Sequence, residues 1–208
     1  MQPANLFPDK GLSRPLLMQP LAYFKQPIKL FIIGQETYGW NCEHDNVDAL
    51  LEKYTVFNMG EKYYSTPFWN ITRKVESVLG IEKYSCAWSN LNRFDQNQGP
   101  PTGKILEAIS ELDFLIREEI RILKPDICLF YTNWKYDQRI EAQFSRVQFH
   151  NIRGLPNSHF TRLIHEALPK LTFRTPHPRT IRIQKWEEAF LNFLGSLSFN
   201  SSNQLICG

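Results

Sequence analysis

Residues 28–40 read IKLFIIGQETYGW, and this stretch decides the fold. Six mostly apolar, β-branched or aromatic residues (28–33) run into Gly34, the pattern of a parallel strand buried on both faces. A polar, glycine-marked turn (34–40) follows. In an open α/β sheet the ends of such strands line one edge, where ligands bind.

Working outward, Thr66 and Pro67 supply an N-cap and a first-turn proline, and Phe68, Ile71, Val75 and Val78 repeat at helical spacing up to Gly80. Residues 84–91, YSCAWSNL, read as a second strand. A long helix is expected over about 102–123, with Ile105, Ile109, Leu112, Ile116, Ile120 and Leu123 on one face and Pro125 beyond its end. DICLFYT (126–132) is a third strand, 158–168 a short helix, LTFRT (171–175) a fourth strand, and 182–195 a last helix carrying Ile183, Trp186, Phe190 and Phe193. Strands alternating with helices predict a four-stranded, mostly parallel sheet with helices on both faces, a three-layer α/β/α sandwich.

The boundaries of that domain are 28–196. Prolines at 3, 8, 15, 20 and 27 make 1–27 an extended, loop-rich arm. Residues 197–208 form a polar tail.

The chain has 208 residues, 42% hydrophobic and 22% charged, the composition of an ordinary globular domain, large enough to need neither disulfides nor a structural metal. Its longest apolar runs have strand length, and the proline-broken N-terminus is unlike a signal peptide, so a cytoplasmic protein is expected. The four cysteines, Cys42, Cys86, Cys128 and Cys207, are scattered with no C-x-x-C and read as inert thiols. Cys42–Asp45 are contiguous and read as an acidic cap before a helix at Val47 rather than as a metal site. P-loop, GxGxxG and GxSxG motifs are absent, which disfavours Walker-type nucleotide hydrolysis and α/β-hydrolase chemistry. A net charge of +3 does not by itself identify a nucleic-acid binder.

Unusual polar residues gather at three strand ends: GQETYGW (34–40), WSNLNRFD (88–95) and PHPRTIR (176–182). Gln35, Glu36, Tyr38, Asn90, Asn92 and His177 can therefore converge on one cleft. With KPDICLFYT at the third strand and STPFWNITRKV (65–75) opening the first helix, these segments resemble, in order, the motifs of the uracil-DNA glycosylase superfamily. The matches extend from about residue 28 to residue 190, with GQETYGW marking a divergent branch.

The resemblance implies a DNA repair hydrolase that flips a base out of the stack and hydrolyses the N-glycosidic bond of uracil or another altered base, with no cofactor and no metal. DNA, single- or double-stranded, is then the partner, and no membrane is involved. Glu36 would position water and stabilise the sugar cation, and His177 would hydrogen-bond the leaving base. Gln35 and Asn90 would hold the base edge, Tyr38 would wall its 5-position, and Phe57 would stack on it. Glu36 stands where the family has aspartate, Thr37 where it has proline, and Gly39 where it has histidine. Ile181 would serve as an apolar wedge in the minor groove.

The acid-free segment 173–185 adds Arg174, Arg179, Arg182 and Lys185 as phosphate contacts. Ordinary alternatives stand beside these roles: a solvated Glu36, turn-making Asn90 and Asn92, a core Phe57, and a solvated basic face. The competing function is a binding protein of the same fold that recognises nucleic acid or protein without cleavage.

Overall fold

The computed structural model describes residues 11–41 and 46–197; Cys42–Asp45, Cys207 and nearly all of the polar tail lie outside them. Six strands form one mixed sheet: β1 Leu30–Gly34, β2 Ala87–Asn90, β3 Ile127–Phe130, β4 Gln148–Asn151, β5 Thr161–Ile164 and β6 Leu171–Arg174, in the order β2-β1-β3-β6-β5-β4. β2, β1, β3 and β6 are parallel, while β5 and β4 extend the β6 side antiparallel. The class is α/β as expected, with six strands rather than four.

The two added strands correct the reading of 158–168 as a helix. Phe160, Leu163, Ile164 and Leu168 have helical spacing, but Thr161–Ile164 pair with β6 on one side and β4 on the other instead. In β5, Thr161 and Leu163 are buried whereas Arg162 is half-buried and Ile164 exposed, the period-2 pattern of a strand. Phe160 belongs to the preceding turn and packs on Trp186 and Phe190.

Among the described residues seven α-helices surround the sheet: α1 Val47–Phe57, α2 Pro67–Val78, α3 Gly103–Ser110, α4 Leu115–Leu123, α5 Asp137–Gln143, α6 Pro178–Ile183 and α7 Glu187–Gly195. α1 is capped by Asn46, whose side chain accepts the Ala49 N–H. The single helix expected over 102–123 is two, because the chain turns at Glu111–Phe114 to bury Asp113 against Arg139. The last helix is likewise split, with Lys185 in a left-handed conformation at the break and Ile183 exposed rather than anchoring it.

Alternate residues of the parallel strands feed two cores. Leu30 and Ile32 of β1 join Ile71 and Val75 of α2 and Phe190 of α7 on one face. Phe31 and Ile33 join Ile116 and Ile120 of α4 and Ile140 of α5 on the other. Continuous burial of β1 follows, which explains its unbroken apolar run.

Residues 11–20 form no helix, a single 3-10 turn follows at Tyr23–Lys25, and the whole segment packs on the same body. Ser13, Arg14 and Leu16 donate backbone N–H groups to the carbonyls of Asp95, Trp40 and Arg93, and Leu16 and Tyr23 are buried in the cores. No helix among the described residues is long and apolar enough to cross a membrane.

Candidate functional site

β1 leads to β2 on one side and, through the crossover to β3, gains a neighbour on the other. The C-terminal ends of β1 and β3 therefore flank a topological switch point, where loops diverge and leave a crevice. Gly34 lies opposite Asn90, and Phe130 opposite Arg174, so the segments carrying Glu36, Tyr136 and His177 all leave the same edge.

A cavity of about 560 Å3 opens there, and Glu36, Tyr38, Phe57 and His177 line it together. Its apolar walls are Trp40, Phe68, Trp69 and Trp88, and Phe57 packs within about 5.5 Å of Trp40, Trp69 and Trp88. Phe57 is thus both a core aromatic and a cavity wall. Lys53 sits at the same wall, its ammonium 4.9 Å from the Trp40 ring centre.

Glu36 is fixed from behind. Its Oε2 accepts from Asn92 Nδ2 at 3.1 Å and from the Tyr136 hydroxyl at 3.2 Å. Asn92 Oδ1 in turn accepts from Arg139 Nη1 at 2.7 Å, and the same guanidinium forms a bidentate pair with Asp113. Glu36 Oε1 carries no hydrogen bond among the described residues. Burial pushes the carboxyl above its ordinary value, while the Asn92 and Tyr136 bonds oppose that rise, Asp95 adds to it and Arg139 opposes it.

His177 is held as a neutral donor. Its Nδ1 accepts the Arg179 backbone N–H at 3.2 Å, which leaves the proton on Nε2. Burial, reinforced by the nearby Arg179 charge, lowers its pKa to about 4. The flanking Pro176 and Pro178 restrict the backbone that presents it.

The turn 37–40 is organised by Asp95, a residue without an assigned role in the sequence reading. Its Oδ2 accepts from the Thr37 hydroxyl at 2.7 Å, the Gly39 N–H at 2.9 Å and the Trp40 N–H at 3.1 Å. Thr37 thus anchors the turn by a hydrogen bond. The clue in the sequence was an acid closing WSNLNRFD, but nothing local distinguishes it from a solvated one.

No protein-family model matches the chain, and no curated protein is significantly similar to it.

Other expected site residues fall elsewhere. Gln35 directs its side-chain amide to the Thr132 carbonyl at 3.0 Å and does not line the cavity. Asn90 is 1% exposed and also stands off the cavity surface; its neighbours Trp88 and Phe68 form the wall. Asn90 Oδ1 accepts from Trp88 Nε1 at 3.2 Å, while its Nδ2 is buried without a hydrogen-bond partner among the described residues. Tyr38, 82% exposed, stands at the mouth.

Two expectations are overturned. Arg174 is 3% exposed, pairs with Asp137 and donates to the carbonyls of Ser158 and His159, so its guanidinium is spent inside the fold rather than on phosphate. Ile181 is wholly buried in the core beneath α6 and cannot act as a surface wedge. Arg182 is half-buried between Asn70 and Glu187. Arg179 and Lys185 remain exposed, with no ion-pair partner among the described residues.

Proposed function

We propose that the protein is a DNA N-glycosylase of uracil-DNA glycosylase-like architecture. The observation that carries the reading is a single aromatic-walled cavity faced by a carboxylate with one unengaged oxygen, Glu36, and by a neutral imidazole with a free Nε2–H, His177. Cleavage of an N-glycosidic bond leaves positive charge on the sugar and negative charge on the departing base. A carboxylate on one side and a hydrogen-bond donor on the other lower that barrier.

Water held by Glu36 adds to the anomeric carbon as the C–N bond breaks and gives a proton to the Glu36 carboxylate. The electron pair leaves with the base, whose oxygen is met by His177 Nε2–H. An imidazole that stays neutral at physiological pH donates without having first to lose a charge. Trp40, Phe57 and Phe68 offer apolar surfaces for a flipped base. The polar segments follow β1, β2 and β6, parallel strands whose ends share one edge of the sheet.

Incubation with oligonucleotides carrying uracil or a panel of altered bases, followed by alkaline strand scission, tests the reading. Base release is expected, reduced about 10²- to 10³-fold in Glu36→Gln and in His177→Ala. Retained DNA binding with no release from any member of the panel would reject it in favour of the binding protein.

A further inference from the structure

Behind Glu36 the site continues into the fold. Asn92 and Tyr136, the two donors to Oε2, both meet Arg139 of α5: its Nη1 donates to Asn92 Oδ1 at 2.7 Å, and the guanidinium lies over the Tyr136 ring, 5.6 Å from its centre. Arg139 is itself gripped by Asp113, whose Oδ2 accepts from Nε at 2.7 Å and whose Oδ1 accepts from Nη2 at 2.5 Å. Asn92 and Asp113 are each 1% exposed. Asp113 comes from the turn between α3 and α4, so the break in what the sequence reads as one helix delivers a carboxylate to the back of the site.

The chemistry of these groups admits one arrangement. A guanidinium only donates and an ionised carboxylate only accepts, whereas an asparagine amide does both. Arg139 therefore takes the Asn92 oxygen and turns the amide N–H groups toward Glu36. With the amide flipped, Nδ2 would face the guanidinium and Oδ1 the carboxylate, a repulsive contact at each end. The bidentate grip of Asp113 fixes the guanidinium plane, so its hold is passed through Arg139 and Asn92 to Glu36. A buried ion pair adds little net stability over an apolar pair of similar volume. Holding an amide in one orientation gives this pair a role.

The same contacts distinguish the two carboxylate oxygens. Both lone pairs of Oε2 are taken, by Asn92 and by Tyr136. A proton on Oε2 would face those two donors. Oε1 has no hydrogen bond among the described residues.

We propose that Asp113 and Arg139 are positioning residues that lock the Asn92 amide with its N–H groups toward Glu36, and so reserve Oε1 as the atom that receives the proton of the attacking water. The water oxygen bonds to the anomeric carbon, its proton passes to Oε1, and the electron pair of the C–N bond leaves with the base. That step rests on the glycosylase reading; the lock is tested without it.

Titration of the Glu36 carboxyl carbon by NMR in Asp113→Asn reads the lock with no substrate present. The other charges around Glu36 are Asp95 and Arg139 and, lining the same cavity, Lys53 and His177. By charge alone, removing the negative Asp113 would move the Glu36 titration to lower pH. The lock predicts the opposite sign: an amide at 113 accepts only one of the two guanidinium N–H groups, Arg139 loosens, the Asn92 amide turns, and the titration moves to higher pH. In an Asn92→Ala background, where the link is already cut, Asp113→Asn should produce no upward shift. Base release should lose about tenfold or more in kcat with KM changed less than about twofold, since a catalytic group misplaced by about 1 Å costs rate rather than binding. If Asp113→Asn does not fold, Asp113→Leu/Arg139→Met, which leaves no lone buried charge, replaces it, and its upward shift should fall by at least about half in the Asn92→Ala background. A Glu36 titration that stays or moves down in Asp113→Asn, or shifts that are equal in the two backgrounds, overturns the inference. An upward shift lost in Asn92→Ala, in a protein that releases no base, would keep the lock and reject the glycosylase. Wild-type kcat in Asp113→Asn would keep the glycosylase and reject the lock.

Discussion

The Tyr136 hydroxyl donates to Glu36 Oε2 at 3.2 Å across the switch point of the sheet, joining the segment after β3 to the turn after β1. Asn92, from the segment after β2, donates to the same oxygen. Three strand ends thus meet on one carboxylate oxygen and leave the other for a ligand. The Glu36 side chain is held back by two donors, one of which, Asn92, is itself held by Arg139 and through it by Asp113.

Tyr136→Phe should therefore raise the Glu36 pKa further, because the lost bond stabilises the carboxylate while the burial that disfavours it remains. Titration of the Glu36 carboxyl carbon by NMR reads this directly, and the acid limb of base release should move to higher pH in parallel. An unmoved titration would mean that Tyr136 does not bond the ionised form.

Glu36 and His177 should tilt stability in opposite directions with pH. A carboxyl whose folded pKa is raised stabilises the fold below its unfolded pKa and loses that contribution as pH rises through the folded value. Glu36→Gln should thus add stability on the order of 1 kcal/mol at pH 8, with the gain fading in acid. His177, depressed from 6.5 to about 4, favours the fold above pH 6.5 and loses its contribution as pH falls from 6.5 toward 4. In His177→Asn that loss should be smaller. Urea unfolding of the three proteins at pH 4, 5, 7 and 8 separates the two windows.

Arg174 and Arg179, five residues apart, should behave as unlike residues. Arg174→Ala leaves Asp137 and the Ser158 and His159 carbonyls without their partner and should cost about 3 kcal/mol or more. Arg179→Ala removes an exposed side chain and should change stability by less than about 0.5 kcal/mol. Thermal or denaturant unfolding of both variants checks the contrast; equal costs would contradict the burial of Arg174.

What could be read in advance followed local rules. The apolar run into Gly34 gave β1 its place, Thr66-Pro67 marked the start of α2, and polar residues at strand ends pointed to Glu36, Tyr38 and His177 facing one cavity. What escaped depends on long-range contacts. Arg174 looked like its solvated neighbours because Asp137 and the Ser158 carbonyl come from elsewhere in the fold. The partners of Glu36 at 92, 136 and 139 lie 56 to 103 positions away, and no spacing rule links them. β4 and β5 are short, and β5 carries apolar residues whose spacing fits either period.

Gly34 offers the sharpest test of the packing behind the cavity. It has no unusual backbone angle, so only space accounts for it: a Cβ there would lie 2.3 Å from Asn90 Oδ1 and 3.4 Å from the Phe68 ring. Asn90 cannot easily yield, since the same Oδ1 accepts from Trp88 Nε1 and the side chain is buried. Gly34→Ala should cost about 1–3 kcal/mol. In an Asn90→Ala background the added methyl finds room, so the cost should shrink by about 1 kcal/mol or more, a coupling that a double-mutant cycle in urea measures. Additive effects would show that Asn90 is not held over Gly34, and that the wall formed by Trp88 and Phe68 is built without it.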